Sequence, residues 1–141
     1  MIRSATHLDF SEVCNLLELQ NLPTADLPTS LAHFLVEEMD GRIVGSIGLE
    51  LYGTAALLRS MAVSPSHRNK GIASKLVSQL IIAAGEKRVR SIYLITNTAE
   101  LYFKKRGFVQ ISKDEVENEV LASGEFNGLC PASSTVMMMQ L

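Results

Sequence analysis

His67-Arg68-Asn69-Lys70-Gly71-Ile72-Ala73-Ser74-Lys75-Leu76 is the stretch on which the reading of this chain turns. It places a glycine among cations where an apolar helical pattern begins, with Ile72, Leu76, Val77, Leu80, Ile81 and Ala84 at helical spacing and Gly85 where a left-handed cap would end the helix. Gly71 and Ala73 leave the main-chain N–H groups of the first turn uncovered by bulky side chains. The aligned peptides put partial positive charge at that end, and Arg68, Lys70 and Lys75 add full charges beside it. The combination describes an anion cradle of diphosphate size. By itself it equally describes a glycine easing helix entry among solvated cations. Two other nucleotide-binding signatures are absent: no G-x-x-x-x-G-K-[ST], and no G-x-G-x-x-G after a first strand with an acidic residue about 20 positions on.

Working outward, Ala55 to Val63 precedes the cradle as extended chain, and Ser91 to Ile95 follows the helix as a β-branched, aromatic strand. Strand, helix, strand implies a parallel crossover. Earlier, Phe34 to Glu38 and Ile43 to Tyr52 flank Asp40-Gly41, a hairpin turn, and Tyr52-Gly53-Thr54 makes a second turn, so three consecutive antiparallel strands are expected. Ile2 to Ala5 reads as a short strand, with Thr6 or Asp9 capping a helix that carries Leu16, Leu17 and Leu19. Asn21 to Pro28 is a proline-punctuated loop of the kind that covers a site. A helix from about Thr98 to Arg106 ends at Gly107 and returns through Phe108 to Ile111; a short helix over Asp114 to Ala122 and a last strand around Thr135 to Met139 complete the chain.

The 141 residues fit a single domain, 1–141, and the net charge of −2 gives no footprint for nucleic acid or an anionic membrane. No apolar run approaches the roughly 18 residues of a membrane span, and the N-terminus lacks a signal-peptide core, so a cytoplasmic protein is expected. Cys14 and Cys130 are distant in sequence, the three histidines are isolated, and no metal-ligand spacing exists.

Leu58-Arg59-Ser60-Met61-Ala62-Val63-Ser64-Pro65 and the cradle after it resemble the central motif of the GNAT superfamily of acetyl-CoA-dependent N-acetyltransferases. The family pattern of Arg or Gln, two residues, Gly, one residue, then Gly or Ala reads here as Arg68-x-x-Gly71-x-Ala73, with Val44-Gly45 upstream and Gly107-Phe108 downstream. Tyr93 to Ala99, Phe103 to Phe108 and Glu125 to Ser133 also look like the small N-acetyltransferases of arsenic-resistance operons, which are similar to the acetyltransferase domain of N-acetylglutamate synthases. The resemblance implies an α/β (α+β) fold: a mixed, mainly antiparallel sheet of about six to seven strands with a splayed central parallel pair, flanked by about four helices.

It further implies that acetyl-CoA lies between the splayed strands, its diphosphate on Arg68, Asn69, Lys70, Gly71, Ile72, Ala73 and Ser74 and its pantetheine arm on Met61, Ala62 and Val63. The Val63 N–H would then face the thioester carbonyl as an oxyanion donor. Glu50, on the strand face opposite Leu49 and Leu51, is the candidate base for the acceptor amine, or else a carboxylate pointing into water near the Gly53 turn. The family's usual tyrosine acid falls at Phe103, with Tyr102 rotated about 100° around the helix. Asn97 contacts the cofactor amide or caps a helix. Arg59, within an apolar run, clamps a substrate carboxylate or pairs with Glu50 or Glu37. Cys130 would line the acceptor pocket or sit as a small buried hydrophobe. The expected partner is a small-molecule amine, with a homodimer as one arrangement common in the family. A non-catalytic acyl-CoA-binding module and a protein or peptide N-acetyltransferase are the competing functions.

Overall fold

The computed structural model describes residues 1–123 and 134–141. In chain order these form β1 (Ile2–Ser4), α1 (Phe10–Glu18), β2 (Phe34–Met39), β3 (Arg42–Tyr52), β4 (Ala55–Val63), α2 (Ile72–Glu86), β5 (Ser91–Thr96), α3 (Glu100–Lys105), β6 (Val109–Ile111), α4 (Asn118–Leu121) and β7 (Thr135–Gln140). The strands make one seven-stranded sheet in the order β1-β2-β3-β4-β5-β7-β6, in which β1 and β2, β2 and β3, β5 and β7, and β7 and β6 run antiparallel and β4 runs parallel to β5. Among the described residues no helix is long and apolar enough to cross a membrane. The chain packs as two compact units, Met1–Leu49 with Arg59–Ala83, and Glu50–Leu58 with Ala84–Leu141.

In the first unit, Thr6 opens the chain's first helical turn: its hydroxyl accepts from the Leu8 N–H at 3.3 Å, and the Asp9 carboxylate reaches back to the Thr6 N–H at 2.8 Å. α1 then buries Val13, Leu16 and Leu17 in a cluster with Leu27, Leu31, Phe34, Val36 and Ala62. Leu19, expected on that helix, lies past its end and is exposed. The β2–β3 hairpin closes through Asp40 and Gly41, both left-handed at φ 53° and 75°, as its Asp-Gly turn requires. β3 is covered on both faces, its residues 44–49 all buried. Close approach explains two of its glycines. A Cβ at Gly45 would stand 3.0 Å from Ile72 Cγ2 and 3.1 Å from Leu76 Cδ1 of α2, and one at Gly48 would lie 2.4 Å from Cε2 and Cζ of the Phe34 ring.

In the second unit, Ala55, Ala56 and Leu57 of β4 pair in parallel with Ser91, Ile92 and Tyr93 of β5, and β4 then runs on to Val63. β5 pairs antiparallel with β7 along its whole length, and β7 with β6. Ala55, Leu57, Tyr93, Val116, Val120 and Val136 form the core there. The helix expected over Asp114 to Ala122 is broken: Val116 and Glu117 are extended (ψ 137° and 142°), which turns Val116 into that core and leaves only a short turn at Lys113–Glu115 before α4. α3 starts at Glu100 because the Thr96 hydroxyl takes the Ala99 N–H at 3.0 Å, holding Asn97 and Thr98 outside the helix. It ends as expected at Gly107, φ 100°.

The end of α2 differs from the sequence reading. Gly85 is inside the helix, and the left-handed residue is Arg88, φ 63°. The apolar pattern ends at Ala84, but the helix needs two further residues before its carbonyls can be closed.

Candidate active site

Between β4 and α2 the chain makes a tight turn with two left-handed residues. Pro65 to His67 form a single 3-10 turn, Arg68 is extended, and Asn69 and Gly71 take φ values of 63° and 78°. The first main-chain bond of α2 runs from the Lys75 N–H to the Gly71 carbonyl at 3.1 Å. The N–H groups of Ile72 and Ala73 therefore precede the helix's own ladder and face outward from its end. A Cβ built on Gly71 would meet nothing within 4 Å, so the space beside this residue is open. Ile72 is buried and anchors the turn beneath, Ala73 and Ser74 are half-buried, and Arg68, Asn69, Lys70 and Lys75 are exposed around the mouth. Uncovered N–H groups, a helix dipole and three cations fit a diphosphate. The left-handed Asn69 was not legible from residue types, although asparagine tolerates that conformation better than most side chains.

The same unit carries the strand edge expected to bind the pantetheine arm. Within β4, Ser60 is left-handed at φ 58°, which resets the strand before Met61 to Val63. Ala62 then points into the α1 cluster, while Met61 and Val63 are half-buried. The Val63 carbonyl accepts from Gln20 Nε2 at 2.7 Å, and the Ser64 N–H donates to the Val44 carbonyl at 2.8 Å, so this edge is tied on both sides. Ser46, fully buried, donates its hydroxyl to the Ser60 carbonyl at 2.9 Å.

Arg59 is 3% exposed, and it has an anionic partner in Asp26. The guanidinium forks onto Asp26 of the proline-bounded loop, Nη1 at 3.1 Å and Nη2 at 2.9 Å, while Nε donates to Ser60 Oγ at 3.0 Å. That pair holds the Asp26 carboxyl below its ordinary pKa, chiefly through the Arg59 hydrogen bonds and against the opposing effect of burial. Sequence reasoning required an anion for this cation but sought it on the strands. Asp26 sits in the loop between Pro23 and Pro28, a fold-dependent neighbour that no spacing indicates.

In the second unit, Glu50 is half-buried at the end of β3 and accepts from the Tyr52 hydroxyl at 2.8 Å. Tyr93 donates to Glu117 at 3.1 Å; burial, and next the negative charge it faces, push that phenol's pKa up. Asn97 accepts from the Ser134 hydroxyl at 2.6 Å and does not cap α3, whose N-cap residue is Ala99. Phe103 is buried edge-on against Phe108, centroids 5.4 Å apart, and Tyr102 meets the Phe103 ring edge-on at 5.3 Å while lying beneath Arg106, whose guanidinium carbon is 5.1 Å from the Tyr102 ring centre. Cys130 and Glu125 to Ser133 lie outside the described residues. Among the described residues no three His, Cys, Asp or Glu side chains gather as a metal site would require.

The structure thus brings Arg59, Met61, Ala62, Val63 and Arg68 to Ser74 together in one unit, and places Glu50, Asn97 and Phe103 in the other. Residues 30–110 match the family described as Acetyltransferase (GNAT) domain. An acetyltransferase of Sodalis glossinidius is 38% identical over 97 residues, 60% of this chain and 68% of that protein. The fold matches N-acetylglutamate synthase from Neisseria gonorrhoeae, solved with coenzyme A and N-acetyl-glutamate, at a TM-score of 0.85 and 23% identity over 100% of this chain, which spans only 35% of that protein. It also matches a Mycobacterium tuberculosis protein solved with CoA, at a TM-score of 0.84 and 22% identity, covering 100% of this chain and 99% of the other. With the family match spanning more than half of its residues and the fold agreeing, the chain belongs to the GNAT acetyltransferase family.

Proposed function

We propose that this protein moves the acetyl group of acetyl-CoA onto the primary amine of a small, amino-acid-like metabolite. The observation that carries the reading is the start of α2, where left-handed Gly71 has open space beside it, the first-turn N–H groups precede the helix ladder, and Arg68, Lys70 and Lys75 are exposed in the same stretch. Residues Arg68 to Ser74 hold the diphosphate, and Met61 to Val63 align the pantetheine arm as an added strand would. The N-acetyl-glutamate bound by the structurally similar synthase supports a small amino-acid acceptor.

The reaction is direct. The neutral amine nitrogen attacks the thioester carbonyl carbon, the N–C bond forms, the C–S bond breaks, and the nitrogen passes its surplus proton to Glu50. The Val63 N–H donates to the carbonyl oxygen as it gains charge. Sulfur leaves as the thiolate, since Phe103 offers no hydroxyl where the family's acid would stand. Asn97 contributes a side-chain amide to the cofactor.

Incubation with acetyl-CoA and a panel of amines, following free thiol, tests the assignment. Thiol release with free amino acids, and not with peptide N-termini or lysine side chains, is the expected result. Tight CoA binding without release for any amine identifies a binding module instead, and release with peptides alone identifies a protein acetyltransferase.

A further inference from the structure

Ser60 is a non-glycine residue held left-handed inside a strand, a conformation that persists only where neighbours over-determine it. Two contacts do so. Ser46 donates to its carbonyl, and Arg59 Nε donates to its hydroxyl. Arg59 is in turn fixed by the fork onto Asp26, and the side chain next to Asp26, Leu27, is buried in the same cluster as Ala62. The loop therefore grips β4 on both sides of the left-handed residue: by charge at Arg59, just before it, and by apolar packing at Ala62, just after it. A planar, bidentate pair fixes angle as well as distance, which a single ammonium contact does not.

We infer that Asp26 and Arg59 are positioning residues: their buried fork locks Ser60 left-handed and so aims the Met61–Val63 main-chain edge at the acyl group. This rests on the reading above, in which that edge aligns the thioester and Val63 donates to its carbonyl. Neither side chain is assigned contact with substrate. The diphosphate cradle, being separate from the fork in sequence and held by Gly71 and α2, keeps its affinity when the fork is removed.

The test compares four variants with the wild-type chain for turnover, KM and CoA affinity by calorimetry. Asp26→Asn is expected to lower kcat between about 10- and 100-fold, the scale of a small misplacement of reacting groups, with CoA affinity within about threefold of wild type. Asp26→Glu, which keeps a carboxylate, regains part of that loss, whereas Arg59→Lys, which cannot fork, loses turnover as Asp26→Asn does. Single variants leave one charge buried and can unfold, so the double variant Asp26→Asn/Arg59→Met, which removes both, decides the matter. Wild-type melting temperature with turnover still depressed supports positioning. Wild-type melting temperature with full turnover overturns it and reduces the pair to charge compensation. Wild-type protein that binds CoA but acetylates nothing overturns the parent reading and this proposal together, a result distinct from a normal wild type with an active double variant.

Discussion

The Val89 N–H donates to the Ala84 carbonyl at 3.0 Å, closing α2 across a left-handed Arg88 whose own N–H reaches the Gly85 carbonyl at 3.0 Å. This is the paired closure normally built around glycine, here built around arginine, while the nearby glycine is helical. α3 makes the same closure in the usual way, through Gly107 with the Phe108 N–H on the Phe103 carbonyl.

Two substitutions at the end of α2 should therefore both stabilise. Arg88→Gly removes a side chain from a left-handed position, and Gly85→Ala replaces a helical glycine with open space around it, each contributing about 0.5–1 kcal/mol. Thermal denaturation should show a rise of about 2–4 °C for either. A fall for Gly85→Ala would mean that Gly85 is the cap after all.

Gly71→Glu should abolish most CoA affinity. The substitution forces an L side chain into φ 78°, fills the open space beside Gly71 and brings negative charge to the proposed diphosphate site. Calorimetry on folded variant should register a loss of at least about tenfold, one like-charge contact of roughly 1.4 kcal/mol. Gly71→Ala, carrying only the backbone strain, should fall between.

Glu50→Gln should lower kcat and leave CoA affinity unchanged, the pattern of a group that acts only as the amine reacts. Tyr102→Phe should keep kcat within about twofold, because the ring lies beneath Arg106 and the acid position belongs to Phe103. A large loss in the tyrosine variant would restore a phenol to the chemistry.

Stability should fall in acid through Asp9. Its carboxyl is held at about 2, below the ordinary 3.8, first by the Arg3 hydrogen bonds, with burial opposing and the Thr6 N–H assisting. A depressed carboxylate stabilises the fold fully above its unfolded value and loses that contribution as pH falls from there through about 2. Because Arg3 keeps some exposure to water, the contribution is set at about 1–2 kcal/mol. Urea unfolding at pH 6 should separate wild type from Asp9→Asn by that amount, and the gap should close by pH 2.

The order of strands and helices was legible because hydrophobic period, the Asp40-Gly41 turn and the Gly107 stop each act locally. The turn proposed to hold the diphosphate stands out for the same reason: small residues and cations at a helix start carry their chemistry in sequence order. What was hidden depends on tertiary neighbours. Arg59 announced that it needed an anion, but Asp26 becomes that anion only once the proline loop folds back. Ser60 has no glycine to betray its backbone, and Gln20 reaches Val63 from the far end of α1. The short helices α3 and α4 were read too long because Thr96 and the extended Val116 override weak propensity.

Gly45 sets the spacing between β3 and α2. The helix whose mouth would grasp phosphate rests its first two apolar side chains, Ile72 and Leu76, almost directly on the bare main chain of β3. One added methyl there would jack up the seat of the turn by a fraction of an ångström. In the proposed cradle, a residue that touches no ligand would thus set the height at which the anion is met, and cofactor grip could be tuned from beneath the helix as well as from its charged rim.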